Sequence, residues 1–143
     1  MKVCIIGVGL IGGSFALALR KNAPQVKIYG IDARKENLEK ARSLGIIDES
    51  AALEEVGDAD LVILSIPVNA APEVLINILD LVQEKTLVMD MGSTKEKICK
   101  AVATHPRRRN FLAAHPIAGT EFSGPEAAFH GLFEGKAAII CEV

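Results

Sequence analysis

The chain has 143 residues, half of them hydrophobic, with a formal net charge of -2 and a mean hydropathy of +0.29. That length suits one domain with a sizeable core, while no apolar stretch nears the ~20 residues of a membrane span, so no membrane partner is expected. Nucleic acid finds no electrostatic footprint either, because the only dense basic run, Arg107-Arg108-Arg109, lies between two predicted elements and reads as a solvated loop.

The first predicted strand, about 2–7, runs through Val3-Cys4-Ile5-Ile6 into Gly7-Val8-Gly9-Leu10-Ile11-Gly12. A helix follows over about 10–22, where Ile11, Phe15, Ala18 and Leu19 recur at helical spacing, and a second strand, 26–32, ends at Asp32. A G-x-G-x-x-G string alone is weak. Joining a strand to a helix, with a carboxylate twenty residues past its third glycine, it points to a dinucleotide site rather than a ligand-free turn. Gly7 permits the tight turn, Gly9 lets backbone approach a pyrophosphate, and Gly12 lets the helix pack closely. The free N–H groups at the helix start, at Leu10 and Ile11, attract the phosphates together with the helix dipole. Asp32 stands where a carboxylate accepts both adenosine-ribose hydroxyls and repels a 2'-phosphate, which favours NAD over NADP; Arg34, able to pair with that phosphate, pulls the other way. The competing reading of Asp32 is the N-cap of the next helix.

That helix, over 34–44, carries Leu38, Ala41 and Leu44 on one face, and Ala51 to Val56 suit a short helix within 46–58. Leu61 to Ile66 form the next strand, stopped by Pro67. A helix capped by Asn69 then runs to about 84 through Val74, Leu75, Ile78, Leu79 and Val82. Strand 86–90 leads to Ser93-Thr94-Lys95-Glu96, which has the form of a capping box for a helix over 94–103. Strand 111–115 and a final apolar run over 137–141 complete an alternation that predicts an α/β fold, a Rossmann-type doubly wound, mainly parallel sheet.

In such sheets ligands lie beyond the carboxyl ends of the strands, so the turns after Leu64, Asp90 and Ala114 converge on one crevice. Ser65 and Pro67 thereby join the cofactor-binding candidates, and Lys95 is the chief nearby cation. Among three histidines, only His115 ends a strand on the ligand side, where a neutral imidazole either accepts a substrate hydroxyl's proton or bonds backbone. His105 and His130 suit structural or surface roles. Cys4, Cys99 and Cys141 lack metal-ligand spacing and read as reduced, buried small residues, so no metal is expected. Met1 leads straight into the first strand, leaving no room for a targeting peptide, and a cytoplasmic location follows. The chain stops at Val143 on a predicted strand, so 1–143 is expected to be a fragment holding a nucleotide-binding half without its substrate-binding half.

Three strings, GVGLIGGSFALALR at 7–20, MDMGSTK at 89–95 and AAHPIAGTEFSGPEAAFHGLFEGK at 113–136, resemble the prephenate dehydrogenase family, which includes arogenate dehydrogenases. The resemblance covers essentially the entire chain, and HPIAGTE followed by SG and LFEGK is its most specific part. It implies oxidation of a cyclohexadienol ring alcohol with NAD or NADP and loss of the ring carboxylate as carbon dioxide. The product is 4-hydroxyphenylpyruvate from prephenate or tyrosine from arogenate, in tyrosine biosynthesis. It further implies that His115 bonds the ring hydroxyl, that Ser93 lies near that histidine and the nicotinamide, and that Thr120 and Glu121 border the substrate pocket. Family members carry a helical second domain that forms a homodimer and completes the pocket, and nothing in this chain corresponds to it. A β-hydroxyacid-type dehydrogenase and a stand-alone nucleotide-binding module are the alternatives.

Overall fold

The apolar runs become strands and the helical periods become their crossovers. In chain order the elements are β1 (Lys2–Ile6), α1 (Leu10–Asn22), β2 (Lys27–Ile31), α2 (Lys35–Ser43), β3 (Glu49–Ser50), β4 (Leu61–Leu64), α3 (Ala71–Leu81), β5 (Leu87–Asp90), α4 (Glu96–Val102), β6 (Phe111–Pro116) and β7 (Ala138–Cys141). The computed structural model describes residues 1–142, so the domain limit expected at Val143 lies outside the described residues.

One sheet has the order β3-β2-β1-β4-β5-β6-β7, parallel throughout except for β7, which returns antiparallel to β6. This is the doubly wound Rossmann arrangement, with the strand order reversing between β1 and β4. Alternate side chains of each strand supply two cores. Cys4, Ile6, Val62, Leu64 and Val88 pack with Leu75, Ile78 and Leu79 of α3 on one face. Val3, Ile5, Ile28 and Ile63 pack with Ala16 of α1 and Ala41 of α2 on the other. Each fully buried Val, Leu or Ile among them contributes roughly 1.5–3 kcal/mol. Burial pushes the Cys4 thiol up to about 11, as suits an inert core cysteine.

The structure departs from sequence expectation at several ends. Residues 46–58 hold a two-residue strand, β3, paired with Tyr29 and Gly30, before the 3-10 helix Leu53–Asp58. Asn69 does not cap α3. Ala70 occupies that position, and the N–H groups of Ala70 and Ala71 are satisfied by the Pro67 carbonyl at 3.0 and 3.2 Å. The Ser93–Glu96 capping box does not form, because α4 starts only at Glu96, behind an uncapped Lys95. Glu96 pairs instead with Lys100 at 2.6 Å. The arginine triplet is only partly a solvated loop: Arg108 donates to the Phe111 carbonyl at 2.9 Å, covers the Phe111 ring and reaches Glu142. Cys141 is half-buried rather than buried.

No described helix is long and apolar enough to cross a membrane. On β7, Ile139 and Ile140 are each about half exposed, 49% and 51%, and the nearby loops add exposed Ile117, Phe122 and Phe129. An apolar edge strand exposed on both faces is unusual for a surface in water.

Candidate functional site

The glycine loop leaves β1 at the point where the sheet order reverses. Gly7 has φ +88°, a region that disfavours side chains, and a Cβ there would lie 2.3 Å from the Ser65 carbonyl oxygen. Gly12 is required by packing: its Cβ would lie 2.1 Å from the Gly7 carbonyl oxygen and 2.3 Å from Ser65 Oγ. Gly9 differs from both. A Cβ on it would meet nothing within 4 Å, so the space it leaves open belongs to whatever enters the crevice. Gly9 also holds the N-cap position of α1 without a side-chain cap, so the first N–H groups of that helix are available to an anion.

A crevice of about 720 Å³ is lined by Gly7, Gly9, Asp32, Arg34, Ser65 and Pro67, six of the sequence-derived cofactor positions. Leu10, Ile11 and Gly12 are not in its wall; Leu10 and Gly12 are buried at the start of α1. The Asp32 carboxylate is held in place by three donors. Oδ2 accepts the Val8 N–H at 3.1 Å, while Oδ1 accepts the Arg34 N–H at 2.9 Å and Asn37 Nδ2 at 3.1 Å. This ties β2 to the glycine loop and to the start of α2. It also answers the capping question, since Arg34 rather than Asp32 holds the N-cap position of α2. Ser65 donates its hydroxyl inward, to the Gly7 carbonyl at 2.8 Å, and thus shapes the loop from beneath.

Residues the sequence reading did not single out complete the wall: Asn37, Leu53, Ser123, Gly124 and Glu126. The last three arrive because the Pro125–Ala127 turn packs on α1 and α2, where the Phe129 N–H bonds Ser14 Oγ at 3.1 Å. Only the SG within the family-like string marked that segment.

His115 lies at the carboxyl end of β6, paired in register with Ile139 of β7. With Thr120, Phe129, Leu132 and Lys136 it lines a second cavity of about 650 Å³. Ser93 and Glu121 are exposed and line neither space. Lys95 does not serve as the free cation expected of it. Its ammonium is bound to the Asp90 carboxylate, and the two side chains are only 13% and 2% exposed. Lys136 is the cation that lines the His115 cavity, and it makes no ion pair among the described residues. The other histidines are elsewhere: His105 accepts the Arg107 N–H at Nδ1 and faces Asp80 through Nε2 at 3.1 Å. His130 borders a small surface hollow with Lys21 and Glu134.

Open space over Gly9, uncapped helix N–H groups and a pinned carboxylate just after β2 together fit a dinucleotide. The sequence matches the family described as prephenate dehydrogenase, nucleotide-binding domain, over residues 15–143. The chain belongs to the prephenate dehydrogenase family. It is 38% identical to the prephenate dehydrogenase of Bacillus subtilis (strain 168), over 96% of this chain and 38% of that protein. The crystal structure of prephenate dehydrogenase from A. aeolicus with hydroxyphenyl propionate and NAD+ superposes with a TM-score of 0.90 at 39% identity, covering 100% of this chain and 51% of that one. Synechocystis arogenate dehydrogenase gives a TM-score of 0.84 at 26% identity, covering 98% of this chain and 49% of that one. The chain thus spans about half or less of the length of these relatives, and corresponds to the nucleotide-binding domain of the family.

Proposed function

We propose that the chain is the cofactor-binding and catalytic-histidine half of an NAD-dependent prephenate dehydrogenase, which converts prephenate to 4-hydroxyphenylpyruvate and carbon dioxide in tyrosine biosynthesis. The observation that carries this reading is the placement of His115 at the carboxyl end of β6, in a cavity with Lys136, at the same carboxyl end of the parallel strands as the glycine crevice.

When bound, NAD supplies the hydride acceptor. His115 takes the ring hydroxyl's proton as the C–H bond at the same carbon breaks, so that positive charge does not build up there. The electron pair of the bond to the ring carboxylate then moves through the ring onto the new carbonyl oxygen, carbon dioxide leaves, and the oxygen regains the proton held by His115 to give the phenol. By the family resemblance, Ser93 orients the reacting groups and Thr120 and Glu121 border the substrate; of these three, Thr120 lines the His115 cavity. Lys136 offers one positive partner to a substrate with two carboxylates. Asp32 receives the adenosine-ribose hydroxyls on a carboxylate already pinned by Val8, Arg34 and Asn37, and with Glu126 on the same wall it disfavours the extra phosphate of NADP.

The likeness to an arogenate dehydrogenase supports arogenate as a second substrate. In the same reading, a helical second domain covers the apolar face of β7, completes the substrate pocket and forms a homodimer in the cytoplasm. The test is absorbance of NADH or NADPH formed by the full-length protein supplied with prephenate or arogenate. Formation of NADH from prephenate at a higher kcat/KM than any other pairing is expected; no reduced cofactor from either substrate contradicts the assignment.

A further inference from the structure

Asp90 is the last residue of β5, and it is 1% exposed. Its carboxylate holds two separate stretches of chain. Oδ1 accepts the Ala114 N–H at 3.2 Å, while Oδ2 accepts the Gly92 N–H at 3.1 Å and the Lys95 ammonium. The ladder between β5 and β6 ends at the pair Asp90 and Ala113. On the opposite side of β5, the Met91 N–H continues the ladder to β4, on the Leu64 carbonyl at 2.9 Å. At the last rung toward β6, the Asp90 carboxylate gives the Ala114 N–H a side-chain acceptor from β5. Lys95 makes the arrangement affordable, since a buried carboxylate without a cation costs several kcal/mol.

Gly92 immediately precedes Ser93, and Ala114 immediately precedes His115. We propose that Asp90 is a positioning residue: one buried carboxylate clamps the backbone on which Ser93 and His115 are carried and thereby sets the spacing of these two groups. The inference rests on the reaction proposed above and adds to it a residue that touches neither substrate nor cofactor. Its weight comes from geometry, because a shift of about 1 Å in a reacting group costs on the order of 10²-fold in rate. The crevice between β1 and β4 does not depend on Asp90, so cofactor binding and turnover separate.

The test uses the full-length enzyme and the double variant Asp90→Asn with Lys95→Met, which removes both charges and nearly preserves shape. Replacing a buried ion pair as a unit is far less damaging than breaking it. A Tm near that of the parent, NAD affinity within about 2-fold, and kcat reduced ~10–100-fold are expected. Parent-like kcat overturns the proposal, as does a loss of NAD affinity equal to the loss of turnover. Should the double variant fold poorly, Asp90→Glu keeps the charge for Lys95 but displaces the acceptors by one methylene; it too is expected to lose kcat at unchanged NAD affinity, and parent-like turnover overturns the proposal. If the parent oxidises neither prephenate nor arogenate, the functional reading fails separately. The clamp is then read from amide hydrogen exchange in the 143-residue chain, where one of the Gly92 and Ala114 amides should exchange at least ~10-fold faster in the double variant. Unchanged exchange at both overturns it.

Discussion

Ser65 and Gly7 hold each other in place: the Ser65 hydroxyl donates to the Gly7 carbonyl at 2.8 Å, and a Cβ on Gly7 would lie 2.3 Å from the Ser65 carbonyl oxygen. The contact joins the ends of β1 and β4 where the sheet order reverses, the location at which doubly wound folds open a ligand crevice. It leaves the glycine loop little freedom. The three glycines consequently do different things, and substitution should tell them apart.

Gly12→Ala drives a methyl into the Gly7 carbonyl and Ser65, so it is expected to cost about 1–3 kcal/mol and lower Tm measurably. Gly9→Ala meets no protein atom within 4 Å and should leave Tm unchanged while weakening NAD binding at least ~10-fold, or about 1.4 kcal/mol. Calorimetric titration of both variants against their melting curves checks the split. A Gly9→Ala protein with parent affinity for NAD would show that no phosphate approaches the loop there.

Asp32→Ala is expected to raise the Kd for NAD and to shrink its advantage over NADP, because the ribose acceptor and the negative charge leave together. It also orphans the N–H groups of Val8 and Arg34, so a stability loss of about 1–2 kcal/mol should accompany the change. Parallel titrations with both cofactors measure it. Tighter binding of NADP by the unmodified protein would shift the assignment to Arg34.

Asp48 governs part of the acid sensitivity. Burial pushes its carboxyl up, but the Ile28 N–H at 2.7 Å and the Arg20 guanidinium at 3.0 Å outweigh this and hold it below the usual carboxylate range. A depressed carboxyl contributes stability above its unfolded pKa, about 3.9, and loses it as pH falls through the folded value. Asp48→Asn should therefore lower Tm at neutral pH, and the gap from the parent should close below about pH 4. A gap that stays constant down to pH 3 would contradict the linkage.

The first thirty-two residues were legible because their signals are local: a buried strand, three glycines at fixed offsets and a carboxylate at the next strand end. What escaped sequence reading is tertiary. β3 consists of two exposed polar residues, Glu49 and Ser50, which carry no apolar alternation and are strand only because Tyr29 and Gly30 offer an edge. Ser93 and Glu96 have capping-box spacing, but Asp90 draws in Gly92 and Lys95 and delays the helix. That attraction also withdrew Lys95 from the list of free cations. Lys136 took its place beside His115 through a segment leading into β7, the strand whose antiparallel return no periodicity announces.

The central claim is that His115 removes a proton during hydride loss while the glycine crevice binds the cofactor, and His115→Asn in the full-length protein tests it most directly. Asparagine keeps some hydrogen-bonding shape and loses the basicity. With prephenate and NAD the variant is expected to lose ~10²–10⁴-fold in kcat at nearly unchanged NAD affinity. Near-normal turnover would assign the base to another group and leave His115 a structural residue at the end of β6.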